Sequence, residues 1–84
     1  MDYSLQDNIA IVTIDDGKAN VVGHAFLDAI NAHLDRAERE NPGALVLRGR
    51  EGLFSAGFDL NEFKKGAQEG MSMVRRGMEL LIRL

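Results

Sequence analysis

A run of small and helix-capping residues between Gly49 and Phe63, GREGLFSAGFDLNEF, is the part of this sequence best suited to chemistry. Ser55–Gly57 leave almost no side chain between the main chain and an approaching molecule. Asp59 is a favourable helix N-cap, and Glu62 can complete a capping box. Phe58 therefore precedes a helix start, where unpaired N–H groups and the helix dipole can stabilise an oxyanion. An ordinary strand–turn–helix junction has the same pattern, so spacing alone leaves both interpretations open.

The letters from Phe54 to Leu60, FSAGFDL, closely resemble the signature of the enoyl-CoA hydratase/isomerase (crotonase) superfamily. The resemblance implies that Phe58, between the Gly and the Asp, gives its N–H to the thioester oxygen of an acyl-CoA. It also implies that Asp59 and Leu60 anchor the helix behind this oxyanion hole, and that small residues let coenzyme A pass. The implied coenzyme A contacts in this segment are Ala56, Gly57, Asp59 and Leu60.

A second segment, Lys18 to Val22, follows the turn Asp15-Asp16-Gly17. It resembles the family's Lys- and Asn-bearing segment, whose backbone lines the adenine and pantetheine of coenzyme A. The family's usual preceding proline is replaced here by Asp16-Gly17. We expect this segment and the first to lie at opposite ends of a βαβ unit. The matching coenzyme A positions are Lys18, Ala19 and Val21.

The elements that must position these segments can be predicted from hydrophobic periodicity. Tyr3–Gln6 and Ile9–Ile14 have the composition of a hairpin, joined by an Asp-Asn turn. From His24 to Arg39 apolar residues recur at three- and four-residue steps, which predicts an amphipathic helix. Ala44–Arg48 has the length and boundaries of a buried strand. Strand, helix and strand then form a βαβ crossover, so the fold class is α/β.

After the motif we predict a short helix that ends at Gly66 and a last helix from Gly70 to Leu84. This last helix is apolar nearly all round by its final turn, which predicts burial on several sides. Lys64 or Lys65 either replaces a family lysine near the coenzyme A phosphates or faces solvent. The packing stripe of the last helix is predicted to be Met71, Val74, Met78 and Leu81.

The resemblance implies the N-terminal ββα/βαβ part of a crotonase-like (ClpP/crotonase) spiral fold. Residues 1–84 would be the first segment of a single domain, about a third of a family member, with the remainder absent. The family's second oxyanion donor and its acid/base carboxylates would then lie beyond Leu84. We therefore assign no catalytic role to Glu51, Glu62, Glu69 or Glu79.

Several other function classes find no support in the sequence. The net charge of −3 disfavours nucleic acid as a partner, and no apolar run approaches a membrane span. The absence of cysteine is compatible with a reducing cytosol. No dinucleotide-binding, P-loop or nucleophile-elbow motif occurs, so we expect Ser55 to be present because it is small. His24 and His33 point to opposite sides of a helix, and Asp15-Asp16 is best explained as a turn, so we predict no metal site.

The function that follows is processing of an acyl-CoA thioester through a backbone oxyanion hole, with hydration of a 2-enoyl-CoA as the predicted reaction. An isomerase of the same superfamily is one alternative. A non-catalytic module that binds coenzyme A or supports assembly is another. Coenzyme A is expected only as part of the substrate, with no separate cofactor. The resemblance also implies a homotrimer or hexamer, and we expect a cytoplasmic protein.

Overall fold

The computed structural model describes residues 1–84, which form five strands and three helices. In chain order the elements are β1 (Asp2–Gln6), β2 (Ile9–Thr13), β3 (Val21–Val22), α1 (His24–Glu40), β4 (Ala44–Arg48), β5 (Gly57–Phe58), α2 (Leu60–Lys64) and α3 (Ala67–Arg83). A three-stranded sheet has the strand order β1-β2-β4, and a separate pair consists of β3 and β5. None of the helices combines the length and the apolar character needed to cross a bilayer.

The predicted hairpin is formed by β1 and β2, which pair antiparallel. Its two turn residues, Asp7 and Asn8, have φ values of 51° and 65°. Two consecutive left-handed residues are what a type I′ turn requires, and short polar side chains tolerate this conformation. The hairpin prediction is confirmed.

The predicted βαβ crossover is also confirmed, because β2 and β4 pair in parallel on either side of α1. Ala10 and Val12 on β2 are buried, as expected. The expectation that β4 is a buried strand is wrong, since Leu45 and Val46 are exposed. The physical reason is the position of β4 at the edge of the sheet, where only Leu47 packs against the core.

The core lies between α1 and α3. Leu27, Ile30 and Leu34 of α1 pack with Met73 and Leu80 of α3. The apolar face of α1 that was predicted from its periodicity is therefore the face that packs in the core. This helix is capped by Asn41, which has a left-handed backbone and whose N–H donates to the Ala37 carbonyl at 2.8 Å.

The last helix differs from its prediction in both its start and its packing face. It begins at Ala67, three residues before the predicted start. The predicted stripe is wrong, since Met71, Met78 and Leu81 are all more than half exposed. Its buried residues are Gly70, Met73, Gly77 and Leu80.

Glycine explains this error. A Cβ on Gly70 would lie 2.5 Å from the ring of Phe63, and one on Gly77 would lie 2.8 Å from the ring of Phe58. The two aromatic rings occupy the space that side chains would otherwise fill. The periodicity of apolar side chains does not identify a helix face on which glycines allow neighbouring rings to pack against the backbone.

Candidate functional site

The short β3–β5 pair brings together the two segments expected to bind coenzyme A. Val21 pairs with Gly57 and Val22 with Phe58, in parallel. The expectation that the segments lie at opposite ends of the βαβ unit is therefore wrong. Each segment follows the carboxyl end of one of the parallel strands β2 and β4, and these ends share one edge of the sheet.

Main-chain hydrogen bonds on either side of Phe58 fix its backbone against β3. The Ala56 N–H donates to the Ala19 carbonyl, and the Asp59 N–H donates to the Val22 carbonyl, each at 2.9 Å. In a parallel ladder, alternate residues of a strand bond to the same neighbour. Within the β3–β5 pairing, the bond from the Asp59 N–H to Val22 therefore indicates that the Phe58 N–H faces the side opposite β3.

Asn20 connects the loop after β2 to the loop after β4. Its side chain is buried, with 1 % of the residue exposed. Its Nδ2 donates to the carbonyls of Ile14 at 2.9 Å and Phe54 at 3.0 Å, and its Oδ1 accepts from the Asp16 N–H at 2.9 Å. Asn20 was not among the predicted site residues. Asn20 has a φ of 52°, and Asn is one of the few residues that adopt a left-handed backbone readily. An Asn in a predicted loop was therefore the sequence signal that could have identified it.

Ser55 was expected to be present because it is small, and the structure shows in addition that it is a hydrogen-bonding residue. Its hydroxyl donates to the Asn20 carbonyl at 2.7 Å and accepts from the Gly57 N–H at 3.0 Å. The second bond forms a local turn in which a Ser hydroxyl accepts from the N–H two residues later. This pattern could have been recognised from the sequence.

The Asp15-Asp16-Gly17 turn is held by its own carboxylates, for the local hydrogen-bonding reason that was predicted. Asp15 accepts from the Gly17 N–H at 2.9 Å. Asp16 accepts from the N–H groups of Lys18 at 2.7 Å and Asn20 at 3.0 Å. The backbone N–H of Lys18, with the larger effect, and that of Asn20 hold the pKa of Asp16 below its usual range. Asp16 thereby shapes the loop that leads into β3.

Asp59 caps α2 as predicted, and its Oδ1 accepts from the Asn61 N–H at 2.9 Å. The capping-box role of Glu62 is wrong, because the Asp59 N–H is already bonded to Val22 in the sheet. Glu62 instead accepts from Lys65 Nζ at 3.1 Å.

The helix α2 is anchored differently from the prediction. Asp59 packs closely on Gly23, where a Cβ would lie 3.2 Å from its Oδ2. Leu60 was expected to share this anchoring role, but it is 72 % exposed in the first turn of α2. Its side chain therefore contributes little to holding the helix in place.

Two cavities flank β3 and β5. One has a volume of about 370 Å³ and an almost entirely apolar lining. The other has a volume of about 300 Å³ and is lined in part by carboxylates. The apolar cavity includes Val22, Phe26, Leu47, Gly57, Phe58 and Leu80. The polar one includes Asp16, Asn20, Val21, Asp59 and Glu62.

A polar cluster joins the three helices beside the polar cavity. Arg76 lies 2.9 Å from Nδ1 of His24 and donates to Asp28 at 2.6 Å. Since an arginine only donates, Nδ1 of His24 is the acceptor of this hydrogen bond, and in that tautomer the ring hydrogen is on Nε2. This Nε2 faces carboxylate oxygens of Glu62 at 3.9 Å and Glu69 at 4.0 Å. The cluster therefore orients His24 as a link between helices, with a protonated nitrogen toward the acids.

Comparisons with known proteins agree with this architecture. A family model described as enoyl-CoA hydratase/isomerase matches residues 4–83. A probable enoyl-CoA hydratase of Bacillus subtilis (strain 168) is 29 % identical over 79 residues, which are 90 % of this chain and 31 % of that protein.

Solved structures give the same result. The crystal structure of a probable enoyl-CoA hydratase from Mycobacterium tuberculosis matches with a TM-score of 0.88 at 44 % identity, over 94 % of this chain and 34 % of that one. A structure described as an M. tuberculosis enoyl-CoA isomerase matches with a TM-score of 0.88 at 43 % identity, over the same shares of the two chains. This chain thus spans about a third of the length of these relatives. With its mixed α/β elements arranged as in the corresponding part of the crotonase fold, the chain belongs to the enoyl-CoA hydratase/isomerase family.

Proposed function

We propose that the protein containing this chain processes acyl-CoA thioesters, with the Phe58 N–H as one donor of its oxyanion hole. The observation that carries the proposal is the parallel pairing of β3 and β5, in which the Asp59 N–H is bonded to Val22. In a ladder of this kind the N–H of the preceding residue, Phe58, faces the opposite side. A main-chain donor held in this way needs little reorganisation when negative charge develops on a bound oxygen.

The chemistry of the proposed site is polarisation of the thioester carbonyl. Withdrawing electron density into a stabilised oxygen makes the β-carbon of an enoyl thioester electrophilic toward water. It also makes the α-protons of a 3-enoyl thioester, and the γ-protons of a 2-enoyl thioester, more acidic. One oxyanion hole therefore serves both hydration and double-bond migration.

We propose hydration of a 2-enoyl-CoA as the reaction. Isomerisation of an enoyl-CoA is the second candidate, because a solved relative at 43 % identity is described as an enoyl-CoA isomerase. The proposed assembly is a homotrimer or hexamer, and the proposed location is the cytoplasm.

The proposed coenzyme A contacts lie in the β3–β5 pair, in the residues just before and after these strands, and at the start of α2. Ala56 and Gly57 are small and exposed, which leaves their backbone open to a ligand. Leu60 also exposes its side chain for contact. The apolar cavity of about 370 Å³ suits the acyl group, because its lining offers carbon surface beside Phe58. The remaining proposed contacts are Lys18, Ala19, Val21 and Asp59.

Titration calorimetry of the natural full-length protein with acetoacetyl-CoA and with free coenzyme A is the direct test. We expect both to bind, the thioester more tightly because it also occupies the oxyanion hole and the apolar cavity. Failure of both ligands to bind at millimolar concentration would overturn the proposal.

Assays with 2-enoyl-CoA and 3-enoyl-CoA substrates then decide between hydration and isomerisation. Binding without turnover of either substrate would identify a non-catalytic module instead.

A further inference from the structure

The Ser55 hydroxyl bridges two backbone segments that meet at the proposed site. It donates to the Asn20 carbonyl at 2.7 Å and accepts from the Gly57 N–H at 3.0 Å. Ser55 is partly buried and precedes Phe58 by three residues. It is therefore placed to act on the backbone donor without being that donor.

The bridge constrains the peptide unit that contains the donor. The Phe58 N–H belongs to the planar peptide between Gly57 and Phe58, so the φ and ψ angles of Gly57 set its direction. Gly57 has a φ of +97°, and glycine has access to many other conformations. The hydrogen bond from its N–H to Ser55 restricts these alternatives on one side. The bond between Asp59 and Val22 restricts them on the other side.

The far end of the bridge is itself rigid. The Asn20 side chain is buried and bonded to Ile14, Phe54 and Asp16, which fixes the backbone whose carbonyl receives the Ser55 hydroxyl. The orientation of Ser55 is thus tied to the loops after both parallel strands. A small displacement of the hydroxyl would be transmitted directly to Gly57.

We propose that Ser55 is a positioning residue, whose hydroxyl, anchored on Asn20, holds the Gly57–Phe58 peptide with its N–H aimed at the thioester oxygen. This inference rests on the proposed function. Ser55 acts through the peptide, so its loss should weaken polarisation of the substrate more than binding of coenzyme A.

The test compares Ser55→Ala, Ser55→Thr and the control Ser72→Ala in the natural full-length protein. Ser72 is an exposed serine on α3. The readouts are kcat, KM and the thioester carbonyl stretching frequency of bound acyl-CoA, which reports polarisation. Misplacing a catalytic group by about 1 Å costs on the order of 10²-fold, so we expect Ser55→Ala to lower kcat about 10- to 100-fold. KM should change little and the carbonyl shift should shrink, while Ser55→Thr restores much of both and Ser72→Ala changes neither.

If Ser55→Ala does not fold, Ser55→Cys replaces it, because a thiol is similar in size but a weak hydrogen-bond partner. An alanine or cysteine variant with wild-type kcat and an undiminished carbonyl shift would overturn the inference. The same conclusion follows if kcat falls while the carbonyl shift is unchanged, since that indicates a structural role. A wild-type protein that binds no acyl-CoA would overturn the proposed function as well, which distinguishes the two failures.

Discussion

At Phe58 the backbone and the side chain have separable roles. The N–H is directed away from β3, whereas the ring packs against Gly77 of α3 and lines the apolar cavity. Removing the ring leaves the donor in place. A proline at position 58 has no backbone N–H, so it removes the donor while leaving the bond from the Asp59 N–H to Val22 of β3 available.

We therefore expect the turnover of the full-length protein to fall in the order wild type, Phe58→Ala, Phe58→Pro. Losing one oxyanion donor costs about 10²–10³-fold in turnover, so the proline variant should be lower by that factor. Affinity for coenzyme A should fall much less. Circular dichroism must accompany the kinetics, because proline also restricts Gly57. A folded Phe58→Pro protein with near-normal turnover, or an alanine variant as inactive as the proline one, would show that this N–H is not the donor.

Asp16 gives a prediction about acid stability. The N–H groups of Lys18 and Asn20 hold its pKa below its usual range in the folded protein. The stabilisation is therefore fully present above the unfolded pKa of about 3.9 and is lost as the pH falls through the lower folded value.

Asp16→Asn removes the titrating group but keeps an oxygen acceptor for these N–H groups. We expect the free energy of unfolding of the full-length variant to fall less steeply below about pH 4 than that of the wild type. Denaturant titrations across this range measure the effect. Asp2→Asn, which removes an exposed carboxylate from β1, is the matched control. Equal slopes for Asp16→Asn and the wild type would contradict the prediction.

At the scale of elements, α3 depends on glycine for its contacts. Gly77→Ala replaces a poor helix former and gains about 1 kcal/mol of helix propensity. The added Cβ would lie 2.8 Å from the Phe58 ring, and overpacking of this kind costs about 1–3 kcal/mol. We expect a net loss of about 1 kcal/mol in the free energy of unfolding, with Ser72→Ala as the exposed helical control. A stabilised Gly77→Ala protein would mean that the Phe58 ring moves aside freely.

Which elements could be predicted depends on whether their signal is local. The hairpin, α1 and β4 carry their own periodicity and turn residues, and their predicted limits agree with the structure to within about two residues. The two-residue strands β3 and β5 have no such signal, because only their mutual pairing makes them strands.

The same distinction applies to the candidate site. The cap at Asp59 was predictable because it depends on residues within one helical turn. The bonds by which Asn20 and Ser55 join the two loops reach carbonyl groups 34 and 35 residues away, so no short motif could reveal those two bonds.

For the whole molecule, α3 exposes several large apolar side chains. Leu81 is 72 % and Ile82 is 84 % exposed, and Met71 and Met78 lie on the same helix. Monomeric proteins rarely expose contiguous apolar patches of this kind. A polypeptide consisting of these 84 residues alone should therefore associate or fold poorly.

Sedimentation velocity and circular dichroism test this expectation on the 84-residue polypeptide. We expect concentration-dependent association that decreases when Leu81 and Ile82 are both replaced by lysine. The control adds the same charge at two exposed polar residues of α3, Gln68→Lys with Ser72→Lys. A compact monomer with a cooperative melt would contradict the prediction.

The bonds from Asn20 and Ser55 also have a consequence for the order of folding. They close a loop of about 35 residues, which contains all of α1 and β4. Closing a flexible loop of this length costs on the order of 3 kcal/mol in chain entropy. The Gly57–Phe58 peptide can therefore be held in place only after the βαβ crossover has assembled, and a synthetic peptide spanning residues 49–63 should lack an oriented donor. The oriented Phe58 N–H would then form late in folding, because it depends on the assembled βαβ crossover and not on the local sequence from Gly49 to Phe63 alone.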